Sequence, residues 1–308
     1  VQTSAAGDTP SLTMLTFNVG LLRVNIFWVV RVFTNPPYCE DRVLYMPSAL
    51  LYNPADILAI QECYDKEHFD YLCCRLEHLY PHHARVESGD LIKFHNGLVL
   101  FSKYPIINSS LQLYETVSGL EEFMATKSSL IVDVDVPHLG VVTFVNMHTT
   151  SGGTNDPHDP DVDEWRQDEL RQGVEACAQA TKEGKHAIIL GDLNCGPDLS
   201  VSNFAFLLDK GFRDTYVEAE ARKAVMPESR YTWDPENELN MVGPHAHTPP
   251  QRMDHVLLPG KGMEDWVVDK LEVLFQDKIV DIKEENKKVT LSDHYGLLVK
   301  ITKKVVQM

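Results

Sequence analysis

An apolar run near the middle of the chain, His186-Ala187-Ile188-Ile189-Leu190-Gly191, stops on Asp192-Leu193-Asn194. A short apolar burst closed by glycine has the pattern of a buried strand. Asp192 and Asn194 lie two apart, so at a strand end both side chains point to the same side. A core strand gains nothing from a carboxylate and an amide aimed together. A metal-assisted phosphoryl site does: one group holds a cation or a histidine, and the other donates a hydrogen bond to a phosphate oxygen. An Asx-turn that merely ends the strand uses the same residues, and the pair taken alone fits both.

The same kind of ending recurs along the chain. Leu12 to Val19 alternates apolar with polar residues, as a strand does, and closes on Asn18-Val19-Gly20. Ile57 to Ile60 predicts a buried strand that stops on Gln61-Glu62. Ser128 to Val136 and Gly140 to Met147 predict a hairpin whose second strand ends on Asn146-Met147-His148-Thr149. Further strands are expected at Leu98 to Phe101, at Arg252-Met253-Asp254-His255 and onward, and after Leu291-Ser292-Asp293-His294. Helices are expected over 40–52, 65–79, 163–182 and near 200–210. Asn18, Glu62, His148, Asp192, Asn194, Asp254, Asp293 and His294 therefore all fall at strand ends or in the loops beside them. Each alone is ordinary edge or turn chemistry. A two-sheet sandwich that gathers its strand ends at one edge would join them into a single polar site.

Composition narrows the partners. The chain has 308 residues, 44% apolar and 24% charged, which suits a globular protein with a full core. Its formal net charge of −17 opposes binding to nucleic acid or anionic membranes, which rests on basic patches. The six cysteines are irregularly spaced and form no zinc pattern; most read as buried free thiols, with room for a disulfide or two. Asn108-Ser109-Ser110 is a lone glycosylation sequon. A start at Val1 agrees with a cytoplasmic or peripheral membrane protein, and equally with a secreted one whose leader was removed. No internal repeat or linker divides the chain, so one domain is the economical expectation.

Taken in order, Asn18, Gln61-Glu62, Asn146-Met147-His148-Thr149, Gly191-Asp192-Leu193-Asn194, Met253-Asp254-His255 and Ser292-Asp293-His294 resemble the motifs of the endonuclease/exonuclease/phosphatase superfamily, whose prototype is deoxyribonuclease I. The likeness runs from about Leu12 to the C-terminus. It implies a deoxyribonuclease I-like α/β fold, a four-layer sandwich of two packed mixed β-sheets flanked by helices. Residues 1–10 would be a flexible N-terminus, and 11–308 a single catalytic domain. It also implies a Mg²⁺-dependent phosphodiesterase or phosphatase, with Mn²⁺ or Co²⁺ able to substitute. The segments from Gly97 to Ile106, Tyr231-Thr232-Trp233-Asp234 with Asn240, and Leu291-Ser292-Asp293-His294 look like stretches of neutral sphingomyelinases. His255 departs from them, since a tyrosine commonly follows that aspartate, and so does an enlarged loop after His148.

In a site of that kind, water attacks phosphorus and an alkoxide departs. An alkoxide is a poor leaving group, so metal or acid assistance is needed. Mg²⁺ takes hard oxygen ligands; Glu62 is the expected ligand, with Asn18 and Asp293 as its partners. His294 is the expected general base, with Asp254 on its far nitrogen to fix the tautomer and stabilise the imidazolium. Asp192 would orient the water, while Asn194 and His148 would donate hydrogen bonds to the non-bridging oxygens. Which histidine serves as acid and which as base stays open at this level.

Two segments bear on the substrate. The acidic run Asp156 to Glu164 follows His148 and would repel a polyanion; by itself it reads as a solvated flexible loop. Leu21 to Phe33 is strongly apolar, yet too short and too charged to span a bilayer. It lies between Asn18 and the first helix, near the mouth of the site, where Phe27 and Trp28 would dip into a lipid surface; a buried element or an interface with another chain fits equally. A choline headgroup calls for an aromatic face, and Trp233 joins Phe27 and Trp28 as a candidate contact. The expectation is a sphingomyelin phosphodiesterase releasing ceramide and phosphocholine, working as a monomer on a zwitterionic phospholipid at a membrane surface. The alternatives are a nuclease, an inositol-phosphate phosphatase, a lysophospholipid phospholipase C, or a catalytically silent lipid-binding member. His294→Ala is expected to lower turnover by orders of magnitude with the fold intact, and near-normal turnover of that variant would remove His294 from the chemistry.

Overall fold

Strands that are apolar on both faces need cover on both sides, and this chain provides it with two sheets and two helical layers. The computed structural model describes residues 9–26, 30–87, 95–115, 127–152, 160–226, 230–241 and 246–304, with the backbone alone for 24–26 and 30–33. β1 (Ser11–Asn18) is followed by a two-stranded hairpin, β2 (Leu22–Ile26) and β3 (Val30–Asn35), then by α1 (Cys39–Tyr52) and β4 (Ile57–Gln61). Next come α2 (Lys66–Leu76), β5 (His82–Ala84), β6 (Val99–Ser102), β7 (Ile106–Leu113), β8 (Ser128–Val136) and β9 (Gly140–His148). After α3 (Pro160–Lys182) follow β10 (His186–Asp192), α4 (Val201–Asp209), β11 (Phe212–Asp214), α5 (Thr215–Arg222) and β12 (Asp254–Pro259). The chain closes with β13 (Trp266–Leu274), a small ladder of β14 (Val280–Ile282) and β15 (Lys287–Val289), and β16 (Gly296–Lys303).

The first six-stranded sheet runs β13-β16-β1-β4-β6-β5 and the second β11-β12-β10-β9-β8-β7. At the heart of each lies one parallel pair: β1 with β4, where Asn18 stands beside Gln61, and β9 with β10, where His148 stands beside Asp192. Parallel neighbours require a crossover. α1 lies in one and α3 in the other, so each parallel pair also acquires its helical cover.

The two-residue period of the strands sorts their side chains between layers. Leu12, Met14, Ile57 and Ala59 of the first sheet meet Phe144, Ile188, Leu190 and Val256 of the second in one inter-sheet core. The alternate residues Leu15, Phe17, Leu58 and Ile60 pack on Val43, Met46 and Leu50 of α1 and on Leu72 and Leu76 of α2. Val145, Ile189 and Leu257 pack on Leu170 and Cys177 of α3 and on Phe204 and Leu207 of α4. The result is the expected four-layer α/β sandwich, with each fully buried aliphatic side chain contributing about 1.5–3 kcal/mol.

Toward the strand ends the inter-sheet layer turns polar. Gln61 Nε2 donates to Asn146 Oδ1 at 2.7 Å, and Asn146 Nδ2 donates to the carbonyls of Ile60 and Val99 at 3.0 Å. Thr16, Gln61 and Asn146 are all fully buried, so these bonds tie the two parallel pairs together in a region closed to water.

The structure refines three expectations. The apolar segment 21–33 is a hairpin in its described part, with Leu22 paired to Asn35 and Ile26 to Val30; Phe27 and Trp28 lie outside the described residues. The acidic run is not a loop throughout. Its Pro160 to Glu164 portion opens α3, because Asp161 and Asp163 favour a helix N-terminus, and Asp163 accepts a 2.8 Å bond from Arg166. All six cysteines are free. Several elements were not foreseen, among them β7, β13 and α5, whose patterns are too mixed to read. Among the described residues no helix is long and apolar enough to cross a membrane.

The register of the β9–β10 pair depends on Gly191, whose φ is +137° and where a Cβ would stand 2.0 Å from the Met147 carbonyl oxygen. Gly191→Ala is expected to cost at least about 3 kcal/mol of stability by overpacking and backbone strain. Denaturant unfolding would measure it, and a loss below ~1 kcal/mol would contradict this packing.

Candidate active site

The ends of both parallel pairs meet at one edge of the sandwich. Asn18, His148, Asp192 and Asp254 are the last or first residues of β1, β9, β10 and β12, and their strand periodicity turns them into the inter-sheet space. Asn18 Nδ2 donates to Glu62 Oε1 at 2.8 Å and to Asp192 Oδ2 at 3.0 Å, linking a carboxylate of the first sheet to one of the second. Glu62 reaches this position from a left-handed turn, φ 60°, just beyond β4.

Asp192 realises both uses that its spacing allows. Its Oδ1 accepts the Asn194 backbone N–H at 3.0 Å, which is the Asx-turn, while its Oδ2 faces the cluster. His148 Nε2 and His294 Nε2 each lie 3.7 Å from that oxygen, and His148 Nε2 is also 3.7 Å from Glu62 Oε1. On the far side of His294, Nδ1 stands 3.0 Å from Asp254 Oδ2. This contact directs the Nδ1 proton to the carboxylate and leaves Nε2 toward Asp192. Asn194 adopts φ 46° and spends one amide hydrogen on the Thr149 carbonyl at 3.1 Å. Asp293 accepts from Ser292 Oγ at 3.0 Å. The structure therefore gathers Asn18, Glu62, His148, Asp192, Asn194, Asp254 and His294 at one edge, with Asp293 close enough to act on Glu62 by its charge.

Burial is the dominant electrostatic fact. It raises the Glu62 carboxyl to about 7, with the Asp293 charge adding to the rise and the Asn18 hydrogen bond opposing it. Burial likewise raises Asp192 to about 6, against the pull of His294. For His294 burial acts the other way, but the Asp254 and Asp192 carboxylates outweigh it and hold the imidazole well above its ordinary value. Carboxylates crowded at one partly buried edge, with the Glu62 side chain 19% exposed, fit a hard divalent cation. Asp192, Asp254 and His294 also present ligand atoms within 4.8 Å of one another. There Asp254 is already engaged by His294 Nδ1, so this trio has the build of a proton-handling unit.

One sequence expectation narrows and another changes. Asn18 stands beside Glu62 as its partner: its Oδ1 accepts the Gly20 N–H at 3.0 Å, and its nitrogen faces both carboxylates. Reversing the amide would set oxygen against oxygen, so Asn18 orients Glu62 and Asp192. Trp233 is not an exposed lipid contact. It is 7% exposed, packs with Leu199 and Met253, and its backbone bridges to Gln251 and His294. His255 turns inward as well; its Nε2 lies 2.8 Å from the Cys195 carbonyl and its ring stacks on Phe204.

The sequence reading missed the groups that hold the loops. Glu169 of α3 accepts from Thr150 N and Oγ1, both at 2.7 Å, and Arg166 Nε donates to the Thr150 carbonyl at 2.9 Å. Thr149 Oγ1 donates to the Leu193 carbonyl at 2.6 Å. The chain leaving His148 is thus fastened to both α3 and β10. Charged residues on the inner face of an amphipathic helix were the available signal.

The sequence matches the Endonuclease/Exonuclease/phosphatase family over residues 15–294. A search of curated proteins returns no significant match. Among solved structures, sphingomyelinase C from Streptomyces griseocarneus is 20% identical with a TM-score of 0.72, over 95% of this chain and 99% of that one. A double mutant of beta toxin from Staphylococcus aureus, with bound magnesium ions, is 17% identical with a TM-score of 0.73, over 96% and 100%. TDP2 from C. elegans is 16% identical with a TM-score of 0.65, over 96% of this chain and 77% of that one. At these identities the likeness is one of fold.

A carboxyl whose pKa is raised on folding binds its proton more tightly in the folded state than in the unfolded one. Stability is then lost as pH climbs from the unfolded value toward the folded one. For Glu62 that window runs from 4.5 to about 7, and for Asp192 from 3.8 to about 6. Metal-free protein is expected to lose on the order of 3 kcal/mol across the Glu62 window. Melting temperatures between pH 4.5 and 7.5 would record the slope. Glu62→Gln should reduce it, most clearly between pH 6 and 7 where the Asp192 contribution has ended, and an unchanged slope there would contradict the assignment.

Proposed function

The chain belongs to the endonuclease/exonuclease/phosphatase family, and from that premise we propose that it is a magnesium-dependent phosphodiesterase that hydrolyses sphingomyelin to ceramide and phosphocholine at a membrane surface, working as a monomer. The observation that carries the reading is the Asp254–His294 pair set 3.7 Å from an Asp192 oxygen that Asn18 shares with Glu62. A base, an orienting carboxylate and a cation-binding carboxylate converge there, in a chain whose net charge is −17.

Each group then has a task. Glu62, with Asp293 beside it, would hold the ion, and Mg²⁺ there would supply the positive charge to polarise a phosphoryl oxygen, ease departure of the alkoxide and offset the carboxylate field on His294. Asp192 accepts a hydrogen bond from the attacking water and points its lone pair at phosphorus. His294 Nε2 takes the water proton, and Asp254 steadies the resulting imidazolium through Nδ1. His148 and Asn194 donate to the non-bridging oxygens, and their placement before reaction removes the cost of reorganising water around the developing charge.

For the substrate, the net charge of −17 disfavours nucleic acid. The apolar segment holding the β2–β3 hairpin, with Phe27 and Trp28 in its sequence, supports contact with a lipid surface. Two of the solved structures that share this fold, sphingomyelinase C and beta toxin, extend along nearly the whole chain. Phosphocholine release from sphingomyelin vesicles, assayed with Mg²⁺ and with chelator beside DNA degradation, tests the reading. Mg²⁺-dependent release that disappears in His294→Ala, with DNA left intact, is the expected result. DNA cleavage without phosphocholine release would overturn it.

A further inference from the structure

Arg42 of α1 is fully buried, yet its hydrogen bonds go to backbone carbonyls and one sulfur. Nε donates to the Pro37 carbonyl at 2.9 Å. Nη1 donates to the carbonyls of Val19 and Leu291, both at 2.9 Å. Nη2 donates to the Gly20 and Pro36 carbonyls and to Cys39 Sγ. A desolvated guanidinium is costly to keep, and a folded chain retains one where its fork joins groups that nothing else would join.

The joined segments are informative. Val19 and Gly20 follow Asn18, Leu291 comes just before Asp293 and His294, and Pro36 and Pro37 follow β3 of the hairpin. From Arg42 a continuous path of bonds leads to both carboxylates. Arg42 holds the Gly20 carbonyl, the Gly20 N–H holds Asn18 Oδ1 at 3.0 Å, and Asn18 Nδ2 holds Glu62 and Asp192. Gly20 is also a spacer. Its φ is +53°, and a Cβ there would lie 2.6 Å from Asp293 Oδ1 and 2.8 Å from Pro36 Cδ.

We propose that Arg42 is a positioning residue for the cation site: by fixing the backbone at 19–20, 36–37 and 291 it sets the mutual geometry of Glu62, Asn18 and Asp293, and couples that geometry to the exit of the β2–β3 hairpin. The inference rests on Glu62 and Asp293 as the cation-binding groups. It does not depend on which phosphodiester is cleaved. A merely structural arginine would stabilise the fold without bearing on the ion.

Mg²⁺ binding measured by calorimetry separates these roles. Arg42→Gln and Arg42→Lys are compared with Met46→Ala, a buried change on the same helix chosen to match the loss in melting temperature. Both Arg42 variants are expected to bind Mg²⁺ ~10–100-fold more weakly, and lysine is expected not to rescue, because a point donor cannot span the segments. Met46→Ala should bind as wild type does. Wild-type affinity in the Arg42 variants, or an equal loss in Met46→Ala, would overturn the proposal. Amide exchange of the wild-type protein adds a test that does not depend on how the variants fold. Mg²⁺ should slow exchange at residues 38–42, and its failure to do so would also overturn the proposal. Weakened Mg²⁺ binding in the Arg42 variants, alongside a wild type that releases no phosphocholine, would reject the sphingomyelin reading and leave this one standing. A wild type that does not bind Mg²⁺ would remove the cation site and this inference with it.

Discussion

One amide nitrogen, that of Asn18, joins a carboxylate from each sheet, at 2.8 Å from Glu62 and 3.0 Å from Asp192. Both bonds exist only if the ends of β1, β4 and β10 come within a few ångströms of each other. That closeness is the demand to which the rest of the architecture answers. Each sheet contributes the end of its single central parallel pair, and the Gln61–Asn146 bond pins the sheets just beneath. A shift of one residue in either register would turn these polar ends away from one another and aim apolar neighbours into the site.

The demand has an electrostatic consequence. Glu62, Asp192, Asp254 and Asp293 repel one another in a medium that screens poorly, and burial pushes Glu62 and Asp192 toward their neutral forms. His294 takes up part of the imbalance as a proton. A divalent cation removes the remainder, so the folded protein without its ion holds strain that the ion relieves. The same crowding makes the site a proton-handling device, because His294 is pulled between desolvation and its carboxylate neighbours.

Around this charged centre the chain invests in backbone restraint. Arg42 fastens the turn that follows Asn18 and the segment that leads into Asp293, and Arg166 with Glu169 fastens the loop that follows His148. Both arginines are fully buried and both come from helices outside the sheets. The outer layers thus do more than shield the sheets from water. They reach through to the strand ends and set the positions of groups that they never contact directly.

Alternation and punctuation in the sequence were enough for the strands that carry the site, for the polar character of their ends and for the order of the site residues along the chain. These are local properties: the two-residue period states which way a side chain faces, and an apolar run states that the strand is covered. The sequence left open whether Asp192 makes a turn or a site, and the structure shows that its two oxygens do one each. Asn18 was expected as a partner of Glu62 without a stated contact, and it offers nitrogen because Gly20 takes its oxygen. Trp233 was a candidate substrate or membrane contact and is packed against Leu199 and Met253, while Arg42 and Glu169 passed unnoticed as ordinary helix residues. Periodicity carries direction along one element but no distance to another. Which oxygen meets which nitrogen across the sheets is decided by tertiary packing alone, since those contacts join residues as far apart in the chain as Asn18 and Asp192.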